Sequence, residues 1–121
     1  AMAAGIKTLE LLKKPGTYNK LSSITNDLAN GIRSIFSEAR IPVQVNSVCG
    51  ALTLFFNPDP VTDMQGATAC DMNGFARFFH FMANRGIYLP PSQYEAWFIS
   101  LAHSSEDIDD TLQAISEYVY Q

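Results

Sequence analysis

Apolar residues return at spacings of three and four through Tyr18, Leu21, Ile24, Leu28, Ile32, Ile35, Phe36 and Ala39. That period predicts a helix with one buried face, capped by Thr17 and running to about Arg40. Asn30-Gly31 weakens it by about 1 kcal/mol without interrupting the pattern. Ahead of it, residues 1–14 are small and apolar at helical spacing through Ile6, Leu9 and Leu11 or Leu12. Pro15-Gly16 stops them, because proline cannot continue the helical hydrogen-bond ladder.

Beyond Arg40 the period shortens to two. Ile41-Pro42 forces an extended backbone, and Val43 and Val45, then Leu52, Leu54 and Phe56, alternate in two short strands on either side of residues 47–51. Asn57-Pro58-Asp59-Pro60 reads as a turn. From about Met64 to Asn84, Ala67, Met72, Phe75, Phe78 or Phe79, and Met82 predict one helix, closed by Gly86. Ile87-Tyr88-Leu89 and Trp97-Phe98-Ile99 are strand-like. Ser104, with Asp107 three residues later, forms a variant capping box for a last helix carrying Ile108, Leu112, Ile115 and Val119.

The order α, α, β, β, α, β, β, α points to an α/β (α+β) two-layer sandwich: a small mixed or mostly antiparallel sheet covered on one face by helices. The second face needs a cover; in an isolated chain it would lie exposed or pair with a second copy. With 121 residues the chain is one domain. Its 47% hydrophobic content and eight phenylalanines exclude disorder, and with only 17% charged residues part of the apolar surface is expected to meet a partner.

The net charge of -4 and the lack of any basic cluster beyond Lys13-Lys14 exclude a phosphate-backbone binder, so no nucleic-acid partner is expected. No stretch reaches the roughly 20 apolar residues of a membrane span, so no membrane partner is expected either. Ala1-Met2-Ala3-Ala4-Gly5-Ile6 lacks a basic signal-peptide start and carries no cap residue, as expected of a helix that begins upstream. Cys49 and Cys70 have no metal-ligand spacing to each other or to a histidine, and both read as small core residues in a reducing compartment.

The chemistry-bearing residues form no catalytic constellation by spacing alone. The carboxylates at 106–110 match the positive end of a helix dipole. His80, among Phe78, Phe79 and Phe81, reads as a packed or rim residue, and His103 as a local hydrogen-bonding group that orients the turn before the Ser104 cap. Glu95 stands apart. A carboxylate between Tyr94 and Ala96-Trp97-Phe98 is either an exposed edge-strand residue or a pocket carboxylate whose cation lies outside this chain.

Five stretches in order carry a resemblance: Ala1–Gly5 with Thr8–Leu12 and Pro15–Tyr18; Thr53–Phe56; Phe75–His80; Arg85–Leu89; and 91–112. Together they resemble the glutamate-1-semialdehyde 2,1-aminomutases, pyridoxal-phosphate enzymes of the class III aminotransferase group. The resemblance implies that residues 1–121 are the C-terminal small domain of a fold-type I enzyme, with 1–14 as a linking helix from a large domain. It implies that the large domain and the second subunit of a cytoplasmic homodimer are the partners. The full-length enzyme would convert the small-molecule substrate glutamate-1-semialdehyde to 5-aminolevulinate for tetrapyrrole (porphyrin) synthesis. Pyridoxal phosphate would sit in that full-length enzyme, with its lysine and phosphate-binding threonine upstream; no catalytic, cofactor-binding or metal residue is expected here.

In the resemblance Glu95 matches a substrate-pocket glutamate near an arginine that receives the substrate carboxylate, and Ser92 is a second substrate-binding candidate. Residues 91–102 lack the arginine that ordinary class III transaminases tend to carry in this strand. Two departures stand out. Val48-Cys49-Gly50-Ala51-Leu52 differs from the family's usual run, and Trp97 replaces a usual glycine, which is expected to narrow the site. The alternatives are the small domain of another class III aminotransferase, or a stand-alone α/β interaction module.

Overall fold

The structure, a computed structural model, describes residues 1–121. Its elements are α1 (Met2–Leu12), α2 (Thr17–Glu38), β1 (Gln44–Val48), β2 (Ala51–Phe55), α3 (Met64–Thr68), α4 (Met72–Asn84), β3 (Trp97–Phe98) and α5 (Ser105–Val119). The strands form one sheet in the order β1-β2-β3, antiparallel throughout, so the mixed alternative does not occur. Because side chains alternate along a strand, the pairs Val45 with Leu54 and Leu52 with Trp97 put these four residues on the inner face. All four are buried, and α2, α4 and α5 lie over them.

Aromatic rings fill the middle of the core. Phe78 of α4 stacks on Trp97 at 6.3 Å and meets Phe56, Phe36 and Tyr118 edge-on or tilted at 5.7, 6.1 and 5.1 Å. Offset and edge-to-face ring pairs of this kind add about 0.5–1.5 kcal/mol each beyond the area they bury. Leu28, Ile32 and Phe36 of α2 are buried as its period requires, while Tyr18, at the same helix's start, is exposed. Where α2 crosses α5, Gly31 lets the helices close in: a Cβ there would lie 2.6 Å from both Cδ atoms of Leu112.

Several local expectations change. The predicted single helix over 64–84 is two, α3 and α4, because Asp63 and Asp71 each cap a new start by accepting from the Gly66 and Gly74 N–H groups. The N–H of Asp71 is taken by Phe56 O, which turns the chain between the helices. Ile87–Leu89 is extended but joins no sheet: Ile87 N–H closes α4 onto Met82 O around left-handed Gly86, and Pro90-Pro91 offers no donor. Thr17 is the first helical residue and not a cap, its hydroxyl donating instead to Leu11 O, and Gly16 holds the cap position. The α2 C-terminus turns on Arg40 in the left-handed region at φ 56°, a conformation glycine usually occupies.

The Ser104–Asp107 capping box forms as the spacing predicts, with Ser104 Oγ accepting from Asp107 N–H and Asp107 Oδ2 accepting from Ser104 N–H. The residues between β1 and β2 are a two-residue hairpin turn, Cys49-Gly50. Thr25 fastens that turn to α2, accepting from Gly50 N–H at 3.0 Å while donating to Leu21 O. On the outer face of the sheet, Phe55 packs with Val61, Ala67 and Cys70 under α3. The remainder of that face is open, with Val48 73% and Phe98 79% exposed. Every residue of α1 except Leu12 is exposed as well, and none is buried.

Candidate functional site

Glu95 sits in the turn that precedes β3, not in a strand as its apolar neighbours suggested. The reason is Ser92. Its carbonyl accepts from Glu95 N–H at 3.1 Å and its hydroxyl oxygen accepts from Tyr94 N–H at 3.2 Å, so the chain folds back before it can pair. Pro90 and Pro91 supply no N–H and stiffen the approach. The two sequence candidates are therefore joined in one turn, with Ser92 half-buried and Glu95 exposed.

The Glu95 carboxylate lines an open depression of ≈ 550 Å³ with Tyr88, Pro90, Pro91, Ala96 and Phe98. Ala96 also borders a smaller hollow of ≈ 290 Å³ on the outer sheet face, beside Val48, Ala51 and Thr53. The walls are apolar and aromatic, with one anionic group. No residue of the chain pairs with it, since the ion pairs present are Lys7–Glu10, Arg77–Asp71 and Arg85–Glu117. The site can thus hold a cation against a carboxylate beside apolar surface.

Trp97 does not narrow this depression. It is 5% exposed and points into the core, stacked on Phe78, so the expectation drawn from its departure is corrected. Its neighbour Phe98 takes the outward position, as strand alternation requires of adjacent residues, and that signal was available in the sequence. Gln93 had no such signal. It is wholly buried, its Nε2 donates to Met72 Sδ at 3.2 Å, and its Oε1 has no partner.

Other candidates fall away from Glu95. Cys70 is buried beside Asn57, as a core cysteine should be, but Cys49 is exposed in the hairpin turn with its thiol toward Tyr18 O, which corrects its core assignment. His80 is an exposed rim residue edge-on to Phe79. His103 Nδ1 accepts from Ser100 N–H at 3.0 Å and orients the turn into α5. A separate cleft of ≈ 420 Å³ between α2 and the start of α5 is lined by Lys20, Asp27, His103 and Asp109, and shares no residue with the Glu95 depression. In the cap of α5, Asp107 is held below the usual carboxylate range by the Ser104 N–H and then by the Ser104 hydroxyl. No group of three or more His, Cys, Asp or Glu side chains could hold a metal, and no helix is long and apolar enough to cross a membrane.

Comparison with known proteins gives this geometry a setting. No protein-family model matches the chain. It is 48% identical over 114 residues to a glutamate-1-semialdehyde 2,1-aminomutase of Thermomicrobium roseum, covering 94% of this chain and 26% of that protein. A second, from Desulfitobacterium hafniense, is 49% identical over 113 residues, covering 93% and 26%. Among solved structures, an omega-transaminase from Sphaerobacter thermophilus superposes with a TM-score of 0.81 at 18% identity, over 98% of this chain and 27% of that one. A glutamate-1-semialdehyde aminomutase from Pseudomonas aeruginosa, in complex with PMP, superposes at 0.76 and 17% identity over 86% and 23%. The fold is thus the one these transaminases and aminomutases contain, and the chain spans about a quarter of the length of the curated relatives it matches. By sequence, the chain is a relative of the glutamate-1-semialdehyde 2,1-aminomutases, matched along nearly all of its own length.

Proposed function

We propose that this chain is the C-terminal small domain of a pyridoxal-phosphate-dependent glutamate-1-semialdehyde 2,1-aminomutase, with residues 1–14 as the helix that links it to a large domain. The near-50% identity along nearly the whole chain carries the reading. In it the full-length protein is a cytoplasmic homodimer that converts glutamate-1-semialdehyde to 5-aminolevulinate. Two unpaired thiols accord with a reducing compartment. The uncovered α1 and the open outer face of the sheet accord with a large domain and a second subunit as partners.

The residues of this chain do not fit the cofactor itself. Lys7, Lys13, Lys14 and Lys20 are all exposed on α1, α2 and their connection, and none is in the desolvated setting a carbonyl-binding amine needs. No step through the cofactor is therefore assigned to these residues. What the chain contributes is Glu95, an unpaired carboxylate on apolar walls, placed to hold an arginine that receives the substrate carboxylate, with Ser92 shaping the turn beneath it.

The test is Glu95→Gln in the full-length protein. It should leave the fold and the cofactor spectrum unchanged and lower kcat/KM by about 10-fold, the scale of one charge-assisted contact, about 1.4 kcal/mol. Wild-type kinetics would remove Glu95 from the substrate pocket. Supplying glutamate-1-semialdehyde without a second keto acid separates the mutase from an ordinary transaminase, because only the mutase turns over.

A further inference from the structure

Gln93 is wholly excluded from solvent, yet its amide is poorly served there. Of two donors and two acceptor lone pairs, one N–H meets the weak thioether acceptor of Met72 at 3.2 Å, and Oε1 meets nothing. An unpaired buried carbonyl carries its full desolvation penalty, so a leucine of similar volume would hold this part of the core at least as well. The amide adds little to global stability. What it adds is direction.

Met72 opens α4, directly after the Asp71 cap. That cap is itself fixed, its N–H donating to Phe56 O at 2.9 Å and its Oδ1 accepting from Gly74 N–H at 2.9 Å. Gln93 therefore ties the turn over 90–96 to a helix start anchored on the residue after β2. Ser92, its chain neighbour, holds the Glu95 N–H. We propose that Gln93 is the positioning residue for Glu95: its buried amide pins the turn to Met72 and so fixes where the Glu95 carboxylate stands over the depression between Pro91 and Phe98. The proposal rests on the reading of Glu95 as a pocket carboxylate. An apolar replacement fills the same space without a directional bond, so the turn shifts and the carboxylate loses its register with the arginine it holds. Substrate binding suffers and the chemical step does not.

The experiment uses the full-length protein with glutamate-1-semialdehyde. Gln93→Leu should raise KM about 5- to 10-fold with kcat held within about twofold, the pattern of lost uniform binding, and should not lower Tm. Met72→Leu, at a partly exposed position that tolerates the change, should move KM the same way and decides the matter if Gln93→Leu does not fold. In a Glu95→Gln background Gln93→Leu should add nothing, since it acts through that carboxylate. An unchanged KM in both Gln93→Leu and Met72→Leu, or a full additional rise in the Glu95→Gln background, overturns the positioning role. If Glu95→Gln itself is silent, the pocket reading fails instead. Hydrogen exchange at the Tyr94 and Glu95 N–H groups then decides: Gln93→Leu should speed it about 10-fold as the turn opens locally, and unchanged exchange overturns the proposal.

Discussion

Gly31→Ala should destabilise the chain, although in an exposed helix the same change stabilises. Mid-helix, alanine is favoured over glycine by about 1 kcal/mol. At this position the new methyl would lie 2.6 Å from both Cδ atoms of Leu112 and 3.2 Å from its Cγ, so the end of the Leu112 side chain must move. Overpacking of this kind costs about 1–3 kcal/mol, whether Leu112 leaves its rotamer or α2 and α5 move apart. The half-buried state of Leu112 gives it an outward escape, which favours the middle of that range. The net loss is then about 1 kcal/mol, or a fall in Tm of roughly 4 °C at this chain length. Urea or thermal unfolding of four proteins measures it: wild type, Gly31→Ala, Leu112→Ala and the double variant. With Leu112 truncated the steric cost vanishes, so Gly31→Ala should change sign and stabilise by about 1 kcal/mol, a coupling of about 2 kcal/mol. An effect of the same sign and size in both backgrounds would refute the close-approach argument.

Arg40→Gly should stabilise by about 1 kcal/mol, because a left-handed φ of 56° costs an L-residue about that much and costs glycine nothing; a denaturant midpoint that falls would count against this reading of the helix end. The Ser104 cap should add an acid-sensitive component. Asp107 has its folded pKa lowered, so its contribution is present above the ordinary aspartate value of about 3.9 and is lost as pH falls through the lower folded value. Asp107→Asn should flatten the pH dependence of stability below pH ~4, and an unaltered slope in that variant would mean that Asp107 does not supply the acid-sensitive component.

The helices were legible because their periods and stop signals agreed: α2 carries its apolar stripe to Phe36, and Ser104 with Asp107 marks the start of α5. The break at Ala69–Asp71 was hidden, since Ala67, Met72 and Phe75 keep a helical rhythm across it and the deciding bond, Asp71 N–H to Phe56 O, joins residues distant in the sequence. Ile87-Tyr88-Leu89 has strand composition but pairs with no strand, because Ile87 N–H is taken by Met82 O and Pro90-Pro91 follows, a context that composition does not encode. At the site, Glu95 was conspicuous as a charge among apolar residues. Its placement in a turn depends on Ser92 acting twice, through its carbonyl and its hydroxyl, while Gln93 drew no notice because a buried glutamine looks like any surface glutamine in a sequence.

The packing of α5 on α2 has a consequence for how this chain is made. The buried stripe of α2 finds much of its cover in Ile108, Ala114 and Ile115, which are synthesised well after it. Translation at about 5–20 residues per second leaves that stripe uncovered for several seconds after α2 emerges. The hairpin of β1 and β2, held to α2 through Thr25 and Gly50, is the local partner that can shelter part of it meanwhile. A nascent chain stalled before α5 should therefore be a client for chaperones that bind exposed apolar helix, and release from them should wait on the arrival of Ile108 and Ile115.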